Sequence, residues 1–139
     1  MYLLDTTICI EILRNRNSPV ISRLKAHHPS DIYLCSIVKA QLFYGARKST
    51  NPAKNIALVR AFCDPLPSLN FDDKCAETYG VIRADLEASG MVIGANDLLI
   101  AAIAKNYDMI LVTHNTREFI RIQGLQVEDW IKEPGSPPS

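Results

Sequence analysis

Three short apolar runs, Tyr2-Leu3-Leu4, Ile32-Tyr33-Leu34-Cys35 and Met109-Ile110-Leu111-Val112, each stop abruptly at a polar residue. Uninterrupted apolar runs of this length, as opposed to strict alternation, are the mark of strands covered on both faces. Helical spacing follows the first two. Thr6 or Thr7 is placed to cap a helix whose Ile8, Ile12 and Leu13 share a side, and Ser36 to cap one through Ala46 with Val38, Gln41, Leu42 and Gly45 on one side. Further helices are expected over Val20–His27, ending before Pro29, over Ala53–Cys63, and over Asp73–Ala88 with Gly90 suited to end it. Asn96 is placed to cap a helix carrying Asp97. A brief strand is expected near Leu66–Leu69 and an edge strand at Leu125–Val127. Alternating strands and helices imply an α/β fold with a mostly parallel sheet, whose ligands bind beyond the carboxyl ends of the strands.

With 139 residues, 47% of them hydrophobic and 22% charged, the chain suits one globular domain, expected over residues 1–132. The end, Pro134-Gly135-Ser136-Pro137-Pro138-Ser139, offers nothing apolar to bury, so residues 133–139 are expected to be a disordered tail. No apolar run approaches a membrane span, and an acid at position 5 is unlike a signal peptide, so the expected location is cytoplasmic with no membrane contact. The four cysteines, Cys9, Cys35, Cys63 and Cys75, form no Cys-x-x-Cys pair and read as small core residues. Net charge is zero, but residues 1–60 hold nine Lys or Arg against three acids, and residues 61–139 hold six against twelve. Such asymmetry suits either a basic face for a polyanion beside an acidic pocket or a self-complementary fold or dimer.

Asp5 is the first charge after the first strand, and Asp97 opens the uncharged run Leu98–Ala104. Carboxylates at the mouths of apolar elements are costly unless paired, hydrogen-bonded or bound to a cation. The competing reading is that each only caps the helix that follows it, but Gln41 and the cluster Thr113-His114-Asn115-Thr116 are expected to face the same crevice. Oxygen side chains from four distant segments suit a hard divalent cation and, with it, metal-assisted phosphodiester hydrolysis. No Ser or Cys has a nucleophile-elbow context, and His27, His28 and His114 show neither ligand nor triad spacing.

Four ordered segments carry a resemblance: Tyr2-Leu3-Leu4-Asp5-Thr6, Ser36 to Gly45, Ile93 to Ala102, and Leu111 to Phe119. They resemble the PIN-domain ribonucleases, specifically the VapC toxins of bacterial toxin–antitoxin pairs, over residues 1 to about 130. The resemblance implies a three-layer α/β/α sandwich and a Mg²⁺-dependent endoribonuclease, with Mn²⁺ as the other candidate cation. It also implies a homodimer, a cognate antitoxin partner that inserts into the active-site groove, operator DNA reached only through that antitoxin, and an RNA substrate, which in some close relatives is tRNA cut in the anticodon loop. By position, Asp5 and Asp97 correspond to the family's metal-binding acids and Asn115 to its fourth polar or acidic residue.

Gln41 departs from the pattern, because the family motif normally has Glu there. Gln keeps the size and an acceptor oxygen but loses a negative charge. The site residues expected are therefore Asp5, Gln41, Asp97 and Asn115, with Thr6, Thr113 and Glu118 as auxiliaries. Glu11 is a further candidate acid for replacing the missing charge. Arg14, Arg16, Arg47 and Lys48, together with Arg23 and Lys25, are candidate contacts to RNA phosphates, and Trp130 is expected to pack rather than to stack on a base. The competing reading is a catalytically degenerate PIN-fold protein that acts through antitoxin and dimer contacts; a metal-dependent DNA nuclease is a third.

Overall fold

The computed structural model describes residues 1–132; the expected tail at 133–139 lies outside the described residues. Five strands, β1 (Tyr2–Leu4), β2 (Ile32–Cys35), β3 (Ser68–Leu69), β4 (Ile110–Val112) and β5 (Val127–Glu128), form one sheet in the order β3-β2-β1-β4-β5. Every pairing is parallel, with Tyr2 beside both Ile32 and Ile110 and Val112 beside Glu128. The helices are α1 (Thr6–Arg14), α2 (Pro19–Lys25), α3 (Ser36–Arg47), α4 (Pro52–Cys63), α5 (Asp73–Ala88), α6 (Ala95–Asn106) and the short α7 (Thr116–Phe119).

This order positions the site. The chain leaves β1 towards β2 on one side, whereas β4 leads to β5 on the other, so the connections diverge between two adjacent strands. Right-handed crossovers then open a crevice above the carboxyl ends of β1 and β4. Asp5 and Thr113 are the residues that follow those two strands.

The core explains why short strands suffice. Leu3, Leu4, Leu34, Leu111 and Val112 are fully buried. In α6, Leu98 and Ile100 through Ala104 are all buried, because this helix touches α3, α5 and β4. All four cysteines are buried and free, and Trp130 is buried against Tyr2 and a parallel-stacked His27, as packing residues should be. At the end of α5, Gly90 adopts φ +68° and the Met91 N–H reaches back to the Leu86 carbonyl, a left-handed stop that glycine takes without strain. No helix among the described residues is long and apolar enough to cross a membrane.

Three caps differ from expectation. The cap of α1 is Asp5 itself, not Thr6 or Thr7: its carboxylate accepts from the Ile8 N–H at 3.1 Å. Ser36 lies inside α3, which starts from Cys35 with no side-chain cap. Asn96 also lies inside its helix, because Gly94 is the cap residue and its carbonyl accepts from the Leu98 N–H. In each case the turn begins a residue or two before the polar residue that signals it. The short helix α7, which begins at the end of the polar cluster Thr113–Thr116, has too few residues for a periodic pattern. The small strands shift to Ser68–Leu69 and Val127–Glu128, and α2 ends at Lys25.

Candidate metal and nucleic-acid site

Asp5 is 2% exposed, yet both of its carboxylate oxygens have hydrogen-bond donors. Oδ1 accepts from Thr7 Oγ1 at 2.6 Å and from the Ile8 N–H at 3.1 Å, and Oδ2 accepts from the buried hydroxyl of Thr113. Burial raises its pKa above the ordinary carboxylate value, and these donors pull in the opposite direction. A carboxylate offers about four lone-pair directions, so Oδ1 is filled while Oδ2 keeps one free. Capping and ligand roles are thus compatible in one side chain.

Thr113 continues the chain of contacts. Its hydroxyl, donating to Asp5, accepts from the Asn115 N–H at 2.9 Å, and the Asn115 side chain donates from Nδ2 to Glu118 Oε2 at 2.9 Å. Asn115 therefore does not close an Asx turn; its amide steers Glu118. Glu118, carried by α7, lies close enough to Asp97, in the first turn of α6, to raise its pKa. The half-buried Asp97 has its pKa pushed up to about 7, first by desolvation, then by Glu118, and by the charge of Asp5. Five residues from three distant segments, Asp5, Asp97 and the Thr113–Glu118 turn, thereby share one hydrogen-bonded and electrostatic system.

Such a donor set fits a hard divalent cation. All its groups are oxygen ligands or their supports, and the desolvation and neighbouring acids that raise the Asp97 pKa are what a bound cation offsets. Among the described residues no group of three or more His, Cys, Asp or Glu side chains is arranged as a complete chelate.

Gln41 sits on α3 and accepts, through Oε1, from the hydroxyl of Thr6 at the start of α1. It also lines a cleft of about 200 Å³ with Ile10, Leu13, Leu42, Val59 and, at the rim, Arg14. Glu11 instead accepts from Asn15 at 2.9 Å and joins none of these contacts. Arg14, Arg16, Arg47 and Lys48 are all exposed, and the Lys48 ammonium lies 5.7 Å from the Tyr44 ring centre.

Spacing along the sequence assigns His114 no role of its own within its polar cluster. Its backbone N–H donates to Thr7 Oγ1 at 3.1 Å, and its ring Nδ1 lies 3.0 Å from Asp129 Oδ2. A separation of 15 residues has no motif value, and only the pairing of β4 with β5 makes the two neighbours.

The PIN domain family matches residues 2–125. Ribonuclease VapC2 of Haemophilus influenzae is 39% identical over 130 residues, 94% of this chain and 98% of that protein. The tRNA(fMet)-specific endonuclease VapC of Shigella flexneri is 37% identical over 93% of this chain and 97% of its own length. Among solved structures, a DNA-bound VapBC of Salmonella typhimurium superposes with a TM-score of 0.88 at 36% identity, covering 93% of this chain and 97% of that one. VapBC2 of Rickettsia felis bound to a promoter DNA fragment gives a TM-score of 0.87, also at 36% identity, covering 93% and 98%. VapC nucleases of the PIN class depend on a divalent metal, as the oxygen-rich crevice here would require. The chain belongs to the PIN-domain family, among its VapC ribonucleases.

Proposed function

We propose that this chain is an endoribonuclease toxin that hydrolyses RNA phosphodiesters, with tRNA as its substrate class, and that a cognate antitoxin neutralises it. The observation that carries this reading is the convergence of Asp5, Asp97, Glu118 and Asn115 above the divergence of β1 and β4, with Asp97 crowded by two other acids. The relatives named as tRNA(fMet)-specific endonucleases support tRNA, and the VapBC complexes, two of them DNA-bound, support an antitoxin through which operator DNA is reached. A homodimer and a cytoplasmic location belong to the same reading.

Asp5 and Asp97 would hold Mg²⁺, with Mn²⁺ able to replace it. When bound, the cation acidifies water and neutralises charge on the phosphodiester under attack. Thr7, Thr113 and the Ile8 N–H lock the Asp5 carboxylate, leaving one Oδ2 lone pair for the cation. Asn115 holds Glu118 against Asp97, so that Glu118 modulates the charge without taking the first place. Gln41, with Oε1 occupied by Thr6, has its NH₂ left to donate to a phosphate oxygen, a role that suits an amide better than the family's Glu. Exposed Arg14, Arg16, Arg47 and Lys48 would contact flanking phosphates.

Cleavage of total tRNA with Mg²⁺ or Mn²⁺, run beside Asp5→Ala, Asp97→Ala and Gln41→Glu, tests this. The expected result is cleavage by the parent and none by either Asp variant. Silence in the parent with activity in Gln41→Glu would mean a disarmed toxin acting through its antitoxin, and silence in all would overturn the nuclease reading.

A further inference from the structure

The imidazole of His114 is held in a way that the metal site does not require. Asp129, whose side chain is only 7% exposed, places Oδ2 at 3.0 Å from His114 Nδ1 and accepts the Ile131 N–H on Oδ1 at 2.9 Å. The Asp129 carbonyl in turn accepts from Arg23 at 2.9 Å, so the segment after β5 is anchored to α2. The His114 side chain, by contrast, is 49% exposed, and among the described residues nothing is bonded to its Nε2. A buried carboxylate whose two oxygens are both committed, one of them to an open imidazole, is an orienting device. A carboxylate oxygen accepts, so Nδ1 is the donor to Asp129 and Nε2 faces outward as the acceptor of that tautomer.

Its location gives that acceptor a purpose. His114 stands between Thr113 and Asn115, the two residues that tie Asp5 to Glu118. Its own N–H donates to Thr7 Oγ1, which donates to Asp5, so its backbone is two hydrogen bonds from a metal-site carboxylate. The ring belongs to the same turn as Thr113 and Asn115, so a nucleotide flanking the one at the cation is what an open Nε2 there would meet. On an RNA backbone the group that donates, and that DNA lacks, is the ribose 2′-hydroxyl.

We propose that His114, oriented by Asp129, is a substrate-contacting residue whose Nε2 accepts a hydrogen bond from a 2′-hydroxyl and so selects RNA over DNA. This rests on the ribonuclease reading above. Asp129 is a positioning residue, since it acts through the ring.

The test is a cycle between protein and sugar. Binding of a synthetic tRNA(fMet) anticodon stem-loop and of its single 2′-deoxy variants is measured with Ca²⁺ in place of the catalytic cation, for the parent, His114→Ala, His114→Gln and Asp129→Asn, with thermal melts to confirm folding. One deoxy position should weaken binding to the parent about tenfold, the size of one hydrogen bond, and cost nothing further in His114→Ala. His114→Gln, which keeps an acceptor, should restore part of the discrimination, and Asp129→Asn should blunt it without abolishing binding. Deoxy penalties that are equal in the parent and His114→Ala at every position, while the parent still cleaves tRNA, would overturn this inference and leave the nuclease intact. A parent that neither binds nor cleaves the RNA would overturn both.

Discussion

Asp5 and Asp72 do the same local job at opposite ends of the chain's chemistry. Each caps a helix by accepting the N–H three residues on, Ile8 for Asp5 and Cys75 for Asp72, and each also accepts from a distant hydroxyl, Thr113 or Tyr107. Their charges are nevertheless treated in opposite ways. Asp72 faces solvent, and its donors, Tyr107 first, hold its pKa down to about 2. Asp5 is buried at the switch point, where desolvation outweighs similar donors and raises its pKa. Capping geometry is therefore not what separates a structural acid from a site acid. The difference lies in whether the carboxylate is left with water, or with a buried lone pair and neighbouring acids.

The comparison is broken most sharply by Asp→Asn at both positions. Asp5→Asn keeps a capping oxygen but removes the charge that would hold a cation and sets an NH₂ against the Thr113 hydroxyl, so cleavage should fall by at least about a hundredfold while the urea midpoint falls less than in Asp5→Ala. Asp72→Asn should leave cleavage untouched. Asp5→Ala goes further, because it strips the cap and leaves the buried Thr113 hydroxyl without its acceptor; urea denaturation should show a loss of roughly 1–3 kcal/mol.

The next effect is a pH dependence. Asp97 has a folded pKa of about 7 against an ordinary 3.8, so between those values the folded state binds more protons than the unfolded one. Its contribution to the metal-free protein is therefore fully present below 3.8 and lost as pH rises through about 7. Melts across this range should show that decline, Asp97→Asn should flatten it, and Mg²⁺ or Mn²⁺ should stabilise the parent more above pH 7 than at pH 5, since the proton and the cation compete. Asp72 has the opposite sign: its contribution is present above 3.8 and disappears as pH falls through about 2. The smallest effect is that of Tyr107→Phe, which removes one solvent-facing donor from Asp72; a slight fall in urea midpoint with unchanged cleavage is expected, and a loss of cleavage would mean that the two regions are coupled.

Much of this was legible in particular residues. The three apolar runs ended at polar residues, and that boundary placed β1, β2 and β4 because a strand buried on both faces tolerates no polar interior. Asp5 and Asp97 stood out because an acid beside such a run needs a partner. Helix starts were less legible: Ser36 and Asn96 have the chemistry of caps, but a helix begins where the backbone first turns, and Cys35 and Gly94 do that here with no side-chain signal. The four-residue α7 is too short for a periodic pattern, so the role of Asn115 as a donor to Glu118 was hidden with it.

The amino-acid sequence alone settled the α/β alternation, the family motifs and the two acids, because these depend on local polarity and order along the chain. Only the tertiary structure decided that Thr113 completes the Asp5 carboxylate, that Glu118 and not Glu11 crowds Asp97, and that Asp129 grips His114. Each of these is a contact between residues brought together by strand order, and whether a carboxylate is a cap, a ligand or a clamp is set by burial and by neighbours that spacing along the chain does not encode.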